Sequence, residues 1–390
     1  MLKIKTIRDI DIKGKKVFIK VDFNVPISEG KIVDDSRIIA SLPTIDYAIK
    51  SSAKIILCSH LGRPKGKRMP EFSLKPVYEY LKKLLKTPVK FLEDVTGEEA
   101  EKVLSELKEG EVLLLENIRF YEGETKNDPE LAKTLAKFAD VFINDAFSVS
   151  HRKHASVVGV AELIKEKGIG FQMEKELKYL SKIVGKPDRP FYAIVGGSKV
   201  STKIGVLKNL LNKIDKLIIG GAMGNTFLAA KGFSVGSSVV EEEFIEVAKE
   251  IITEAKEEGV KIYLPIDVVV ERNGEAKEVE LKEVKENDKI FDIGPQTIEF
   301  FSWSLEGAKT VVWNGPLGYF EKFPFHKGTF AIAKKIASLP ATTIAGGGDT
   351  LSALKVVGIE SAFSYVSTAG GAFLEYLEGK ELPGLAVLRK

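Results

Sequence analysis

Short apolar runs alternate with longer stretches whose apolar residues recur every three or four positions, from one end of the chain to the other. The runs Val17–Val21, Ile55–Cys58, Val112–Leu115, Val141–Ile143, Tyr192–Val195, Leu217–Ile219, Ile262–Leu264, Val311–Trp313 and Thr343–Ala345 read as strands. Continuous apolar character over so few residues, bounded by glycine or polar punctuation, suits a strand covered on both faces. The spacing predicts helices over Leu74–Leu85, Glu98–Leu107, Pro129–Phe138, Val206–Leu211, Glu241–Glu258 and Lys327–Ala337. Such alternation calls for parallel sheets with helices on both faces, and this many strands are better served by two sheets than one. The expected fold is α/β, with two doubly wound, Rossmann-like domains joined by a hinge helix.

The seam is placed between Ala161 and Pro190. There the alternation yields to a charged helical stretch, Met173 to Ile183, and then to Gly-Lys-Pro-Asp-Arg-Pro. The division expected is a first domain over 1–170, a hinge helix over 171–187 and a second domain over 188–374. Residues 271–290 are polar, with Asn273-Gly274 as turn chemistry, and read as a surface hairpin or excursion.

Open parallel sheets bind ligands beyond the carboxyl ends of their strands, so the residues that follow each run carry the chemistry. In the first half these are Asp22 to Asn24, His60-Leu61-Gly62-Arg63, Glu116 to Arg119, and Asn144-Asp145 leading to His151-Arg152. Arginine forks grip phosphate and carboxylate with paired donors, so this half reads as a pocket for a small, highly anionic molecule. In the second half they are Gly196-Gly197-Ser198-Lys199, Gly220-Gly221, Asp267, Asn314-Gly315-Pro316 and Gly346 to Thr350. Glycine turns let backbone amides approach a polyphosphate, so that half reads as a nucleotide site, and an Asp beside such a loop can hold Mg²⁺. The strand Phe191–Val195 is expected to turn at Gly196-Gly197 straight into a helix that starts at Lys199, with Lys199 and Lys203 on one face of its first turn. Two anionic ligands on two domains point to phosphoryl transfer.

Composition narrows the field. A net charge of +3 over 390 residues offers no global attraction for nucleic acid or a membrane. The lone cysteine, Cys58, excludes an internal disulfide and a cysteine-cluster metal site. The N-terminus carries charges throughout and lacks an apolar signal region, which favours a soluble, cytoplasmic setting. Walker-type, protein-kinase, dinucleotide-fingerprint and zinc-protease motifs are all missing from the sequence. From the residues alone two further readings stay open. One is a non-catalytic binder of polyanions through the basic stretch 60–68; the other is a nucleotide-dependent enzyme acting on a different small acid.

Eight motifs resemble those of one family, the phosphoglycerate kinases, in order along essentially the whole chain. They are Val-Asp-Phe-Asn-Val-Pro (21–26), His-Leu-Gly-Arg-Pro (60–64), Glu-Asn-Ile-Arg-Phe (116–120), Asn-Asp-Ala-Phe (144–147), Gly-Gly-Ser-Lys-Val-Ser-Thr-Lys (196–203), Trp-Asn-Gly-Pro-Leu-Gly (313–318), Gly-Gly-Gly-Asp-Thr (346–350) and Leu-Glu-Gly-Lys-Glu-Leu-Pro-Gly (377–384). The resemblance implies reversible phosphoryl transfer between 1,3-bisphosphoglycerate with ADP and 3-phosphoglycerate with ATP, with Mg²⁺ as cofactor, by a monomeric enzyme. It implies that Asp22, Asn24, Arg37, His60, Leu61, Gly62, Arg63, Arg119 and Arg152 hold the phosphoglycerate. Lys199, Lys203, Gly294, Asn314, Glu321, Gly347, Gly348, Asp349 and Thr350 would contact the nucleotide, with Asp349 toward the metal. Arg37, Lys199, Gly370 and Gly371 would attend the moving phosphoryl group. A C-terminal segment of about 375–390 would pack back on the first domain, and the two domains would close about the hinge. The chain departs from the usual pattern at Lys20, Ser148 to Ser150, Lys153, Asn225 and Ala369.

Overall fold

The computed structural model describes residues 4–389. The chain divides into two units, one built from the chain up to Lys178 together with the chain from Glu381, the other from Tyr179 to Lys380. The division falls inside the helix Phe171–Val184.

In the first unit the strands β1 (Lys16–Lys20), β4 (Lys54–Cys58), β5 (Val89–Leu92), β6 (Val112–Leu115), β7 (Val141–Asn144) and β8 (Glu166–Ile169) form one parallel sheet. Its order is β5-β6-β4-β1-β7-β8. The short strands β2 (Ile27–Ser28) and β3 (Lys31–Ile32) make a separate antiparallel pair. Register stacks alike residues into rows: Val17 opposes Ile55 and Val141, while Ile19 opposes Leu57 and Ile143. These residues are fully buried in one core with Ile38, Ile45 and Ala48 of the helix Ser36–Lys50 and Val77 and Leu81 of the helix Lys75–Leu84. Burying each such side chain contributes about 1.5–3 kcal/mol, so the rows fix the register. Phe18 and Phe142 stack on the opposite face with centroids 6.0 Å apart.

The second unit repeats the plan with β9 (Phe191–Val195), β10 (Lys216–Ile219), β11 (Lys261–Tyr263), β15 (Thr310–Asn314), β16 (Thr342–Gly346) and β17 (Tyr365–Ser367), in the order β11-β10-β9-β15-β16-β17. All neighbours in this sheet are parallel. The order reverses at β9 and β15, the two strands that begin the opposite halves of the sheet. Beside it β12 (Asp267–Arg272), β13 (Glu275–Glu280) and β14 (Lys289–Ile293) form an antiparallel sheet. Asn273 and Gly274, with φ of 55° and 81°, turn β12 into β13 as a two-residue hairpin loop.

All nine expected strands are present. The remaining strands of the two main sheets, β5, β8 and β17, lie toward the sheet edges and are short or partly polar, with less apolar signal to read. The helices Ser36–Lys50, Gly221–Ala230 and Gly348–Val357 carry an internal Pro43 or open on glycine, residues that read as breakers in a bare sequence. One expectation is corrected. The helix after β9 starts at Ile204, with Lys203 as its cap, and Lys199 stands in the preceding loop. The amides of Gly196 and Gly197 are tied to the carbonyls of Asn314 and Pro316 at 2.9 and 2.8 Å, so the chain runs alongside the β15 loop before it can coil.

The C-terminal segment joins the first unit beside the β7 loop. The Gly384 amide donates to the Ser150 carbonyl at 2.8 Å, and Asn144 Nδ2 donates to the Gly384 carbonyl at 3.2 Å.

Candidate functional site

In the first unit the loops beyond β1, β4, β6 and β7 share one end of the sheet, and the anion-gripping residues expected from the sequence lie on them and on the nearby helix Ser36–Lys50. Arg37 is anchored by Asp22, its Nη1 lying 3.0 Å from Oδ2, and the same nitrogen donates to the Asn24 carbonyl at 3.1 Å. Asn24 Oδ1 accepts the Gly62 amide at 2.9 Å, and Arg119 Nη1 donates to the Gly62 carbonyl at 2.7 Å. Asp22, Asn24, Arg37, Gly62 and Arg119 are therefore one connected network. Gly62 has φ of 59°, and a Cβ there would meet the Phe72 ring at 2.3 Å, so the His60–Arg63 loop needs this glycine.

Leu61 is buried, and its amide and carbonyl are both held by the Asn117 side chain. Arg63 and Arg152 are exposed. Burial, followed by the Arg152 and Arg63 charges, lowers the Arg119 pKa, so the three guanidiniums lie within electrostatic reach of one another. Burial and the surrounding cations Arg119, Lys20 and Arg37 push His60 well below its usual range. His151 falls to about 4 through burial and Arg152. Both imidazoles are neutral at neutral pH, and the positive charge of this lining resides in its arginines.

Three buried nitrogens here have no protein partner among the described residues: His60 Nδ1, Arg119 Nε and His151 Nδ1. A buried polar atom without a partner is costly, so three together mark a place that a polar ligand completes. The site residues implied by the resemblance do not include His151, Asn117 or Ser148, whose hydroxyl donates to Asp22 Oδ2 at 2.6 Å. The adjacent motif residues were the only signal for them.

In the second unit a cavity of ≈ 330 Å³ opens beside the β9 and β15 loops. Apolar side chains such as Val239, Val268, Phe291, Leu317 and Tyr319 line it together with Asp292, Glu321 and Asp349. An apolar slot with a few polar groups suits a nucleoside. Lys203 is buried and donates from Nζ to the Asn314 side-chain oxygen. Asn314 Nδ2 in turn donates to the Gly346 carbonyl at 2.7 Å, and Thr350 Oγ1 accepts the Gly315 amide at 2.7 Å. Asn314 and Thr350 thus brace the loops, while burial lowers Lys203 to about 8 against the opposing pull of Asp349. Asp292 is raised to about 7 by burial although it accepts the amides of Gly328 and Ile293.

Gly347, at φ of 99°, caps the helix Gly348–Val357, which puts Asp349 in that helix's first turn. Gly370, at φ of 54°, caps the helix Gly371–Leu377 beyond β17. Lys199 is exposed in the β9 loop. The Gly294 carbonyl is engaged by the Ile298 amide at 2.9 Å, and Gly294, Gly370 and Gly371 stand outside the cavity lining. Asn225, one of the departures, does line the cavity, and its Nδ2 donates to the Val239 carbonyl at 3.2 Å. Among the described residues no three His, Cys, Asp or Glu side chains gather as a metal cage. Asp349, an exposed carboxylate on the cavity wall, fits Mg²⁺ held jointly with nucleotide phosphates, the mode in which that ion keeps most of its non-protein ligands.

A sequence model of the phosphoglycerate kinase family matches residues 7–380. A phosphoglycerate kinase of Thermosipho africanus is 53% identical over 389 residues, covering 98% of this chain and 96% of its own. One from Clostridium botulinum is 50% identical over 390 residues, covering 98% of each. Among solved structures, the phosphoglycerate kinase from Coxiella burnetii superposes with a TM-score of 0.90 at 43% identity, covering 99% of this chain and 98% of that one. That of Pyrococcus horikoshii gives 0.85 at 35% identity, covering 98% of each. With both linings and the whole length of the chain in agreement, this chain belongs to the phosphoglycerate kinase family.

Proposed function

We propose residue roles for the reaction of this family, the reversible transfer of a phosphoryl group between 1,3-bisphosphoglycerate and ADP that gives 3-phosphoglycerate and ATP. Asp22, Asn24, Arg37, the His60–Arg63 loop, Arg119 and Arg152 hold the phosphoglycerate. The observation that carries this is the trio of unpartnered nitrogens on His60, Arg119 and His151, set among arginines. The oxygens of a phosphorylated acid would satisfy all three.

Lys203, Gly294, Asn314, Glu321 and the Gly347–Thr350 turn serve the nucleotide, with Glu321 toward its ribose. Asp349, together with the nucleotide phosphates, would hold Mg²⁺, which would supply charge neutralisation on the phosphoryl oxygens. Arg37, Lys199 and the amides of Gly370 and Gly371 stabilise the group in flight. In the ATP-consuming direction the acceptor is a carboxylate, ionised at neutral pH, so no general base is required. The neutral imidazoles of His60 and His151 accord with that, because here they orient oxygens and move no proton. Catalysis then rests on positioning and electrostatic stabilisation.

Transfer in place of hydrolysis requires water to be kept out, so the proposal includes closure of the units about the helix Phe171–Val184. The working form is a monomer in the cytoplasm. Among the described residues no helix is long and apolar enough to cross a membrane.

A coupled assay for 1,3-bisphosphoglycerate made from 3-phosphoglycerate and MgATP tests the reading. Turnover that vanishes on chelating magnesium and returns on adding it is the expected result; absence of turnover overturns the proposal. X-ray scattering should show compaction only with both substrates present, and an unchanged radius of gyration removes the closure.

A further inference from the structure

Glu124 is a fully buried carboxylate to which the reaction assigns nothing. It lies on the helical turn Gly123–Lys126, just after the turn Ile118–Phe120 that presents Arg119, and its residue is 1% exposed. Oε2 accepts the Ser156 amide at 2.9 Å, Oε1 accepts the Ser156 hydroxyl at 2.7 Å, and His154 Nδ1 stands 3.5 Å from Oε1. His154 and Ser156 lie two and four residues after Arg152. One carboxylate thus joins the segment bearing Arg119 to the segment bearing Arg152.

The join has work to do. Arg152 lowers the pKa of Arg119, so the two guanidiniums stand close enough for each to disfavour the other's charge. Burial by itself would neutralise Glu124, but hydrogen bonds from His154 and Ser156 and the charge of Lys20 hold its carboxyl below the usual range. Lys20, 1% exposed on β1, is a buried cation whose charge reaches it. Both oxygens of Glu124 face donors, and an amide in its place must turn its NH₂ toward one of them.

We propose that Glu124 is a positioning residue, an anionic clasp from Ser156 and His154 to the Arg119 turn that sets two repelling guanidiniums to address one phosphorylated acid. This rests on the reading of the basic lining as the phosphoglycerate site. Glu124 does not touch the substrate; it acts through the two arginines.

Steady-state kinetics of the full chain test the clasp. Glu124→Gln is expected to raise KM for 3-phosphoglycerate about tenfold, the scale of losing a hydrogen bond to a charged group. KM for MgATP should stay unchanged and kcat should remain within about twofold, since the chemical step is untouched. Ser156→Ala, which removes one donor and leaves the carboxylate, should move the same constant by about threefold and serves if Glu124→Gln does not fold. Glu124→Asp, which keeps the charge, should fall between wild type and Glu124→Gln. A KM for 3-phosphoglycerate that drops would mean that the carboxylate only weakens the cationic field, and would overturn the clasp. So would an unchanged KM accompanied by a lower melting temperature. Arg119→Ala separates the two readings: if it leaves KM for 3-phosphoglycerate unaltered, the assignment of the site fails whatever Glu124 shows.

Discussion

Lys203 and Asn314 are joined side chain to side chain, the buried ammonium donating to the carboxamide oxygen and reaching the Asn314 main-chain oxygen at 3.4 Å. The pair ties the cap of the helix Ile204–Leu211 to the end of β15, the two sides of the crevice where the strand order reverses. It also leaves a desolvated cation, which on the proposed reading a nucleotide phosphate would stabilise.

Lys203 should therefore trade stability for binding. Its folded pKa of about 8 lies below the unfolded 10.5, so the folded chain binds fewer protons between those values. The burial penalty is full below about pH 8 and is relieved as pH rises toward 10.5. Lys203→Met should raise the unfolding free energy at pH 7 by on the order of 1–3 kcal/mol while raising KM for MgATP at least about tenfold. Wild-type nucleotide affinity, measured by calorimetry, should weaken above pH 8. A destabilised Lys203→Met protein would refute this account.

Lys199 stands exposed in the loop between β9 and its helix, so removing its side chain leaves no hole. Lys199→Ala should lower kcat by about 10²-fold or more, roughly 3 kcal/mol of lost transition-state stabilisation, with an unchanged melting temperature. Near-normal turnover would exclude Lys199 from the chemical step.

Asp145 sits beneath the start of the helix Phe171–Val184, where Oδ1 accepts the Met173 amide at 3.1 Å and buried Oδ2 has no partner. Burial raises its pKa from 3.8 to about 7. The folded chain thus holds a proton that the unfolded chain has released, and the associated stability is present below about pH 4 and lost as pH rises through 7. Asp145→Asn should remove this slope, so its stability relative to wild type climbs by up to about 1.4 kcal/mol per pH unit across that window. Urea unfolding from pH 4.5 to 7.5 measures it; parallel curves would refute it.

Gly196 and Gly315 let the β9 and β15 loops pass backbone to backbone. A Cβ on Gly196 would lie 2.2 Å from the Pro316 carbonyl oxygen and 2.7 Å from that of Gly315. Gly196→Ala should lower stability by about 1–3 kcal/mol and weaken nucleotide binding, because the loops can only part. Calorimetric binding of 3-phosphoglycerate without nucleotide should be unaffected. A variant that binds nucleotide normally would show that this close approach is dispensable.

Much of the fold is legible in the apolar runs because parallel strands buried on both faces must be apolar throughout, which is why the strand runs Val17–Val21 and Val311–Trp313 stand out. The arginine and glycine clusters were visible for a related reason, since strand ends in such sheets are where ligands bind. The local pattern around Lys199 predicts helix where the structure has a loop, because nothing local reveals that Gly196 and Gly197 are bonded to Asn314 and Pro316, more than a hundred residues away. Glu124 is similar: among the acidic residues of 122–130 it looks like one more solvated charge.

By itself the sequence determined the alternation of elements, the two sheets and the chemistry at their strand ends, because periodicity and residue type act over a few neighbouring positions. Only the tertiary structure decided which polar atoms are desolvated. That choice set His60 and His151 neutral, brought Lys203 to about 8, and left Glu124 charged between two arginine-bearing segments. Burial and cross-chain hydrogen bonds are properties of segments distant in sequence that meet in space, and no local pattern encodes them.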